Sequence, residues 1–343
     1  MPWWSRSARV TEPTATPLDG VSLVMADLDG VVYKGPGAIP HAVDALIRSG
    51  ETHRVAYITN NAARTAASVA EHLSGFGLPV TADDVVTSPQ AAVKLLLGIV
   101  PAGSLIFVVG GEGLVDELEK AGFRVTRSAD DGPDAVVQGF HPSVGWEQLA
   151  EASYALHTGI PWVATNTDWS IPQARGIAPG NGTLVAAVHS AVARLPVFAG
   201  KPEVPIFEAA FERFGTREAL FIGDRLDTDI LGARRAGIPS ALVLTGIDQA
   251  KQVLAAKEDE RPTFILGDLR ELHEPYPATE RTVGRDGAHT ITVRGATVRL
   301  AGHVLSIVEA GDDRTDLLRA GAAAIWESGL QIYGLDVAEG LYS

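Results

Sequence analysis

The sequence predicts an α/β fold: a doubly wound parallel-sheet, Rossmann-like core with an inserted α/β cap module and a small α+β C-terminal extension. Three observations support this fold class. Short apolar runs alternate with helical stretches over 18–82, the same alternation returns over 197–277, and the segment between them has a strand–helix rhythm of its own. Strands that alternate with helices are typical of a parallel sheet covered by helices on both faces.

Five segments follow from these changes of pattern. The chain has 343 residues, a usual length for two or three domains. We predict a flexible tail rich in Pro, Thr and Ser, the first part of the core, the inserted module, the second part of the core and the extension. In that order they cover 1–17, 18–82, 83–196, 197–277 and 278–343.

The core elements are predicted from apolar runs and from glycines that end helices. In the first part, a strand LVMA, a helix that closes on glycine, a strand VAYIT and a second helix with glycine near its end lie at 23–26, 41–50, 55–59 and 65–77. The second part continues the pattern with a strand, a helical stretch and a strand at 219–223, 229–238 and 240–246.

The inserted module and the extension have their own patterns. LIFVVGGEGLVDELEKAGF and PWVATNTD begin with strand-like runs, and WEQLAEASYALHTG is helical. In the extension, HTITVRGATVRLAGHVLSIVEAG alternates as strands with tight turns do, and RTDLLRAGAAAIWESGL is typical of an amphipathic helix. Strands followed by a helix also resemble part of an acetyltransferase, but the extension lacks the pyrophosphate loop of that fold. We therefore expect the extension to shield a sheet edge or to join a dimer interface.

Composition narrows the class of protein. The formal net charge is −14, which argues against nucleic acid as a partner. No apolar run reaches the roughly 18 residues that span a bilayer, and the first residues lack the apolar region of a secretory signal. The chain has no cysteine, which excludes disulfides and thiolate metal sites and fits a cytoplasmic protein. We therefore expect no membrane partner and a cytoplasmic location.

Polar side chains cluster where apolar runs end or helices begin. In open parallel sheets, ligands bind at the carboxyl ends of the strands. The four stretches are Asp27-Leu28-Asp29-Gly30, Thr59-Asn60-Asn61, Lys201 in AGKPEVPIFEAAF, and Asp224, Asp227 and Asp229 in GDRLDTDI.

These residue types suit chemistry on a phosphate ester. Carboxylate oxygens without His or Cys favour Mg²⁺, and Asp27 and Asp224 can supply them. The Thr59 hydroxyl, the Asn60 amide and Lys201 can neutralise phosphoryl oxygens. An aspartate can attack phosphorus, and a second acid two residues on, Asp29, can protonate the leaving oxygen and then activate water.

The four motifs DLDGVVYKG, ITNNAARTA, GKPEVPIFEAA and GDRLDTDI resemble those of the haloacid dehalogenase superfamily of phosphatases. The similarity is to the branch of NagD, 4-nitrophenylphosphatase and phosphoglycolate phosphatase, and it covers 18–277. It implies that the insert is a C2-type cap. With its extension, the chain is most similar to the actinobacterial glycerol-3-phosphate phosphatases.

The resemblance implies a role for each acid of the motifs. Asp27 would be the nucleophile that forms an aspartyl-phosphate. Asp29 would be the general acid and base, with its main-chain carbonyl on Mg²⁺. Asp224 would be the third metal ligand, and Asp229 would orient the metal site without touching the metal. The two acids of the first motif would then share one cation and divide one reaction.

The resemblance also implies how phosphate is held. Thr59 and Asn60, with the neighbouring Asn61, would bind the phosphate, and Lys201 would bridge it to the nucleophile.

The cap is expected to select the leaving group. ATNTDWSIPQARGIAPGNGTLVAAV (164–188) resembles the branch's cap signature, and four of its residues are the substrate candidates: Asn166, Asp168, Gly180 and Asn181. The alternative is that these residues only cap turns. The chain departs from the branch at His141, where an aspartate is usual, which makes the transfer of cap contacts less secure.

Glycerol 3-phosphate is the expected substrate, from the resemblance. Phosphoglycolate, pyridoxal phosphate and a nucleoside monophosphate are the alternatives. The nucleoside monophosphate is included because Trp162 and Trp169 in the cap could stack on a base. Two other classes compete: a phosphotransferase or mutase on the same core, and a non-catalytic phosphate-binding module.

Gly111 and Gly113 hint at a dinucleotide loop, which a cap turn explains better. A homodimer is possible.

Overall fold

The computed structural model describes residues 15–173 and 175–342. The predicted tail, 1–17, therefore lies outside the described residues except for its last three. Of these, Ala15 is tied to the core, because its carbonyl accepts a hydrogen bond of 3.0 Å from the Tyr276 N–H.

Within the described residues the chain forms twenty strands. In order they are β1 Leu23–Ala26, β2 Tyr33–Lys34, β3 Gly37–Ala38, β4 Arg54–Thr59, β5 Val85–Thr87, β6 Leu105–Val109, β7 Arg124–Thr126, β8 Ala135–Gln138, β9 Trp162–Ala164, β10 Ser170–Gln173, β11 Gly176–Pro179, β12 Val197–Phe198, β13 Ala219–Gly223, β14 Ser240–Val243, β15 Phe264–Leu266, β16 Thr279–Val283, β17 His289–Val293, β18 Ala296–Ala301, β19 Val304–Glu309 and β20 Asp336–Val337.

The same residues form ten α-helices. They are α1 Ala42–Gly50, α2 Ala66–Gly75, α3 Ser88–Leu97, α4 Glu112–Lys120, α5 Trp146–His157, α6 Asn181–Val192, α7 Pro205–Phe214, α8 Leu231–Arg235, α9 Ala250–Leu254 and α10 Arg314–Ser328. A π-helical turn, Leu226–Ile230, leads into α8. Hydroxyl side chains begin two of the core helices: Thr65 accepts from the Ser68 N–H at the start of α2, and Thr87 with Gln90 forms a capping box at the start of α3.

The larger sheet has six parallel strands in the order β15-β14-β13-β1-β4-β5. Its strands are apolar along most of their length, as expected of a parallel sheet covered on both faces; β1 and β13 are buried throughout. The order places β13, β1 and β4 side by side. Their carboxyl ends, which carry three of the four predicted motifs, therefore meet at one edge.

A second parallel sheet, β12-β9-β8-β6-β7, belongs to the inserted segment. Its strands run from Leu105 to Phe198, whereas β5 and α3 belong with the larger sheet: β5 pairs with β4, and α3 follows β5 directly. The predicted boundary at 83 thus falls about twenty residues before the first strand of the second sheet. The short run VVT gave no local sign of which sheet it joins.

The two sheets share one hydrophobic core. Helix α3 lies between them, and its Ala92 and Leu96 are in the same buried cluster as Met25 of the larger sheet and Val108 of the second. The inserted segment is thus packed against the core by a continuous apolar layer.

The extension forms a third sheet, β16-β17-β18-β19-β20, with α10 packed against it. It lies against edge strand β15. The Ile265 carbonyl accepts from the Arg319 Nε at 2.9 Å, and the Ile265 N–H donates to the Tyr276 hydroxyl at 3.0 Å. An uncovered edge strand exposes main-chain groups that can pair with another chain. These contacts agree with the expectation that the extension shields a sheet edge.

The length and composition of the helices bear on whether the chain can cross a membrane. Among the helices of 15–173 and 175–342, none combines the length and the apolar composition needed to cross a membrane.

Candidate active site

A buried lysine and three aspartates form the centre of the site. Asp27 follows β1, Asp224 follows β13, and Asp229 lies in the π-helical turn just beyond. Lys201, which precedes α7, places its Nζ 2.6 Å from Asp27 Oδ1 and 2.8 Å from Asp229 Oδ1. The side chains of Lys201 and Asp229 are 3% and 1% exposed, so these ion pairs are scarcely screened by solvent.

The acids fit a divalent cation. One carboxylate oxygen from each of Asp27, Asp224 and Asp229 lies within 4.8 Å of the others. Three carboxylates face the single ammonium of Lys201, which leaves two negative charges uncompensated when all are ionised. Mg²⁺ takes one or two carboxylates together with substrate phosphate and water, and Asp27 and Asp224 can supply these two.

Burial and the neighbouring carboxylates raise the pKa values of two of these acids. Burial raises the pKa of Asp27 to about 7, with the neighbouring Asp229 adding to the effect and Lys201 opposing it. Burial likewise raises the pKa of Asp224 to about 8, helped by Asp229 and Asp27. Burial alone would lower the pKa of Lys201, but Asp229 and Asp27 outweigh it and raise that pKa. The lysine is thus held charged, while the acids favour a proton or a cation.

Asp229 is fully occupied by the protein. Its Oδ2 accepts from the N–H groups of Asp224 and Arg225, both at 3.1 Å, while its Oδ1 faces Lys201. The chain folds back tightly here because Gly223 has no side chain: a Cβ on it would lie 2.2 Å from the Asp229 Cβ. The arrangement supports the predicted role of Asp229, which is to orient the neighbouring groups without binding the metal.

Glycines shape the space around Asp224. A Cβ on Gly30, whose φ is +83°, would lie 2.2 Å from the Asp224 Oδ2, and one on Gly246 would lie 1.9 Å from the same atom. The Ile247 N–H donates to this oxygen at 2.7 Å. Asp224 therefore has one fixed position, against the loop that follows β1.

Asp29 is exposed, whereas Asp27 is half-buried and Asp224 and Asp229 are buried. The surrounding protein removes part of its hydration and raises its pKa, and a hydrogen bond from the Tyr33 hydroxyl at 3.4 Å opposes this shift. A raised pKa keeps more of the protonated form near neutral pH, as a general acid requires. Tyr33 was not among the predicted site residues.

The residues after β4 have unequal roles. Thr59 is buried, and its hydroxyl oxygen accepts from the Asn61 N–H at 3.1 Å, which leaves the hydroxyl hydrogen to donate. Asn61 is exposed, and its side-chain oxygen accepts from the Ala63 and Arg64 N–H groups at 2.9 and 3.3 Å. That oxygen closes the turn leading to α2.

The Asn60 side chain is also engaged by the protein. Its Nδ2 donates to Asp168 Oδ1 and to the Lys201 carbonyl, both at 3.0 Å, and its Oδ1 accepts from the Lys201 N–H at 2.9 Å. These three bonds use both amide hydrogens and one lone pair of the oxygen. The Asn60 amide therefore has no hydrogen left to donate to a phosphate.

Comparison with known proteins identifies the family. Residues 24–124 match the haloacid dehalogenase-like hydrolases, and residues 198–272 match a second group described as HAD-hydrolase-like. A D-glycerol 3-phosphate phosphatase from Mycobacterium tuberculosis is 42% identical over 313 residues, which are 89% of this chain and 86% of the relative. The chain belongs to the haloacid dehalogenase-like hydrolase family. The predicted superfamily, fold class and hydrolytic enzyme class are thereby confirmed.

Other similar proteins are also named as phosphatases or nucleotidases. A crystal structure of glycerol phosphate phosphatase from Mycobacterium tuberculosis in complex with magnesium has a TM-score of 0.84 and 38% identity, and covers 94% of this chain and 95% of its own. A 5'-nucleotidase from Bacillus subtilis is 33% identical over 72% of this chain and 95% of its own length. A p-nitrophenyl phosphatase from Archaeoglobus fulgidus has a TM-score of 0.69 and 27% identity over 74% of this chain and 98% of its own.

In this hydrolase the four cap candidates lie close together, and two of them bond to Asn60 of the core: Asp168 with its carboxylate and Asn166 with its amide. The Asn166 Oδ1 accepts from the Asp168 N–H at 3.1 Å, and the Asn181 Nδ2 donates to the Asn166 carbonyl at 2.9 Å. Gly180 begins α6, and a Cβ on it would lie 2.1 Å from the Asp168 carbonyl oxygen. Asn166 and Asn181 are buried and shape the loop, as the structural alternative predicted.

Two further polar residues singled out in the sequence lie outside the acid cluster. Asp227 is 58% exposed and forms a two-pronged pair with Arg225, at 3.0 and 2.9 Å. His141 bonds to the Ser143 hydroxyl at 2.6 Å and packs against Gly111 in the cap. Neither is in position to act on a phosphate held at Lys201.

The glycine-rich turn at the start of α4 packs on the core. A Cβ on Gly113 would lie 2.5 Å from the Arg64 carbonyl oxygen and 3.1 Å from that of Ala62. The small residues therefore let the cap approach the loop after β4. This close approach accounts for the motif without a dinucleotide.

Sequence reasoning missed Asp248. Its carboxylate accepts from the Leu226 N–H at 2.7 Å, and its own N–H donates to the Asp224 carbonyl at 3.1 Å, so it braces the turn that carries Asp229. The signal was present: Asp248 follows the apolar run SALVL at the same sheet edge as the other acids.

Proposed function

We propose that this hydrolase is a Mg²⁺-dependent phosphomonoesterase that acts on a small phosphate ester through a covalent aspartyl-phosphate. The observation that carries the proposal is the placement of Lys201 against Asp27, with Asp224 in the same cluster. A buried ammonium beside a carboxylate lessens the repulsion between that carboxylate and a phosphoryl group. Asp29, the acid two residues away, is exposed where a leaving group can reach it.

The first half-reaction transfers the phosphoryl group to Asp27. An Asp27 oxygen attacks phosphorus as the ester P–O bond breaks, and the bonding pair stays with the leaving oxygen. Asp29 donates a proton to that oxygen, so the product leaves as an alcohol. The Thr59 hydroxyl, main-chain N–H groups and Lys201 bind the phosphoryl oxygens. Mg²⁺, held by Asp27, Asp224 and the Asp29 carbonyl, would supply positive charge against these oxygens.

The second half-reaction releases phosphate. Asp29, now ionised, takes a proton from water as the water oxygen attacks phosphorus. The bond between phosphorus and Asp27 breaks, its electron pair returns to the carboxylate, and inorganic phosphate leaves. One water is consumed and Asp29 regains its proton, so the enzyme is unchanged.

We propose glycerol 3-phosphate as the substrate. The Mycobacterium tuberculosis relative named for that activity resembles this chain over 89% of this chain's length and 86% of its own. Phosphoglycolate and pyridoxal phosphate remain alternatives. For a nucleoside monophosphate, Trp162 is not available to stack on the base, because it is only 3% exposed. Trp169 is 65% exposed and is available to stack on a base.

Release of inorganic phosphate tests both parts of the proposal. The panel contains glycerol 3-phosphate, phosphoglycolate, pyridoxal phosphate and nucleoside monophosphates, each with Mg²⁺ and with chelator, and Asp27→Asn is the control. We expect release that requires Mg²⁺ and is fastest with glycerol 3-phosphate. Faster release from another ester would contradict the substrate alone. Transfer to an organic acceptor without free phosphate would favour a phosphotransferase or mutase, and no reaction would favour a binding module.

We also propose a cytoplasmic location, which the absence of cysteine from the chain supports, and a homodimer. Light scattering during size-exclusion chromatography tests the dimer, and a monomer mass over a range of concentrations would reject it. Fractionation of the source cells tests the location.

A further inference from the structure

Asn60 connects three segments that are far apart in the chain. Its side chain bonds to Asp168, 108 residues away in the cap, and to both main-chain groups of Lys201, 141 residues away. Its carbonyl accepts from Asn166 of the cap and from the Ser88 hydroxyl of the core, both at 2.7 Å. One side chain thus meets the cap loop and the lysine loop together.

The contact fixes the main chain of the lysine. The Lys201 N–H and carbonyl are both bonded to the Asn60 amide, at 2.9 and 3.0 Å. The approach is this close because Gly200 lacks a side chain: a Cβ there would lie 2.5 Å from the Asn60 Oδ1. With its main chain held at both groups, Lys201 directs its Nζ to Asp27 at 2.6 Å.

Asp168 in turn orients the amide. Its loop is held by the bond to Asn166, and its carbonyl accepts from the Gly182 N–H at 2.9 Å. The Asp168 carboxylate therefore stands at a fixed point and accepts one amide hydrogen of Asn60 at 3.0 Å. Without this acceptor the amide has one fewer constraint on its rotation, and the second hydrogen loses its alignment on the Lys201 carbonyl.

We propose that Asp168 is a positioning residue that holds Lys201 on the nucleophile through Asn60, so that the docked cap completes the catalytic arrangement. Its kinetic consequences rest on the proposed phosphatase function. The competing reading is that Asp168 recognises the alcohol part of the substrate. The two readings differ in which substrates a change at Asp168 affects.

Kinetics with two substrates separate these readings. Asp168→Ala is expected to lower kcat about tenfold, a change of about 1.4 kcal/mol in the barrier, and to do so equally with glycerol 3-phosphate and p-nitrophenyl phosphate, with KM little changed. The nitrophenyl ester has no hydroxyl groups for a cap carboxylate to recognise. A loss confined to glycerol 3-phosphate, or carried by its KM, would overturn the proposal.

Two isosteric variants sharpen the test. Asp168→Asn keeps an oxygen acceptor for Asn60 and should therefore have most of the wild-type kcat. Asn60→Asp removes both amide hydrogens and should lower kcat at least as much as Asp168→Ala does. Asp116→Ala is the matched control, because Asp116 is a partly exposed cap acid that pairs with Lys120 on α4. Equal loss in Asp168→Asn and Asp168→Ala would contradict the role of an oxygen acceptor.

Hydrogen exchange gives a readout that does not depend on turnover. The Lys201 amide hydrogen, bonded to Asn60 Oδ1, should exchange at least tenfold faster in Asp168→Ala than in the wild-type protein, and at the wild-type rate in Asp168→Asn and Asp116→Ala. Unchanged exchange in Asp168→Ala would overturn the proposal, even for a protein that hydrolyses none of the esters. Lack of turnover in the wild-type protein would instead reject the proposed function and leave this measurement valid.

Discussion

Without metal, the protein is expected to lose stability as the pH rises from about 4 to about 8. In the unfolded chain these carboxyls titrate near their ordinary pKa of 3.8, whereas in the folded protein the pKa of Asp27 is about 7 and that of Asp224 about 8. Between those values the folded protein retains protons that the unfolded chain has released. Raising the pH therefore favours unfolding.

The size of the effect follows from Asp27. Each pKa unit corresponds to about 1.4 kcal/mol. A pKa raised from 3.8 to about 7 therefore destabilises the folded protein by about 4 kcal/mol once the pH exceeds that value. We count one group only, because Asp27 and Asp224 repel each other and share the same loss. Bound Mg²⁺ removes the loss, since it replaces the protons as the partner of the carboxylates.

Thermal unfolding in chelator measures this loss. The midpoint is expected to be lower near pH 8 than near pH 5 by roughly 4 °C, because about 3 kcal/mol of the loss falls between these two pH values and the entropy of unfolding of a chain of 343 residues is large. Addition of Mg²⁺ near pH 8 should recover most of it. The net negative charge of the whole chain also lowers stability at high pH, so a matched pair of variants is needed to isolate the site.

Asp224→Asn and Asp227→Asn form that pair. Both remove one negative charge from the same loop, but Asp224 is in the acid cluster and Asp227 is paired with Arg225 outside it. In chelator, Asp224→Asn should raise the midpoint near pH 8 and flatten the pH dependence, while Asp227→Asn should leave the slope unchanged. Equal slopes in wild type and Asp224→Asn would refute the reasoning that burial, together with repulsion from neighbouring carboxylates, raises the pKa of Asp224 in the folded protein.

Three further outcomes are expected. Asp27→Asn should lower the rate of phosphate release at least a thousandfold, measured with saturating ester, because no carboxylate remains to attack; substantial residual turnover would reject covalent catalysis. Asp29→Asn should slow the first half-reaction with glycerol 3-phosphate by about 10²–10⁴-fold, but should slow the first-turnover release of nitrophenolate from p-nitrophenyl phosphate less, since nitrophenolate departs without a proton; equal losses in the first turnover would count against Asp29 as the acid. Arg319→Met should destabilise the protein by about 3–5 kcal/mol in denaturant unfolding, because it leaves Glu271 without its cation and Asp316 with the longer Arg294 pair alone, while kcat stays unchanged. A changed kcat with wild-type stability would contradict a purely structural role for that arginine.

The core could be predicted because its signals are local. The run LVMA was predicted as a strand over 23–26, and the structure has a strand over the same residues, buried along its whole length. Once strands and helices alternate, a parallel sheet places the carboxyl ends of its strands at one edge. That rule alone brings the polar residues after β1, β4 and β13 together.

The functions of individual amides could not be read in this way. Asn60 was predicted to bind phosphate with its side chain, but its partners lie 108 and 141 residues away, in the cap and the lysine loop. Asn61 follows it directly and closes a local turn instead. Two adjacent residues of one type thus differ only through tertiary contacts that no local pattern contains.

The turn that carries Asp229 shows a similar limit. The helical pattern over 229–238 was recognised, but the π-helical turn at Leu226–Ile230 and the short α8 depend on the Asp229 carboxylate accepting two main-chain N–H groups, and on Asp248 accepting a third from Leu226. Wide turns of this kind recur at functional sites. Here, the turn places an acid against Lys201, which propensity alone does not predict.

Trapping of the phosphorylated enzyme tests the central claim most directly. Wild-type protein with Mg²⁺ is mixed with glycerol 3-phosphate, quenched in acid within one turnover, digested and examined by mass spectrometry. The account predicts one added HPO₃ on the carboxylate of Asp27, lost in Asp27→Asn. Free phosphate formed at the same rate with an unmodified Asp27, or with the group on another residue, would contradict it.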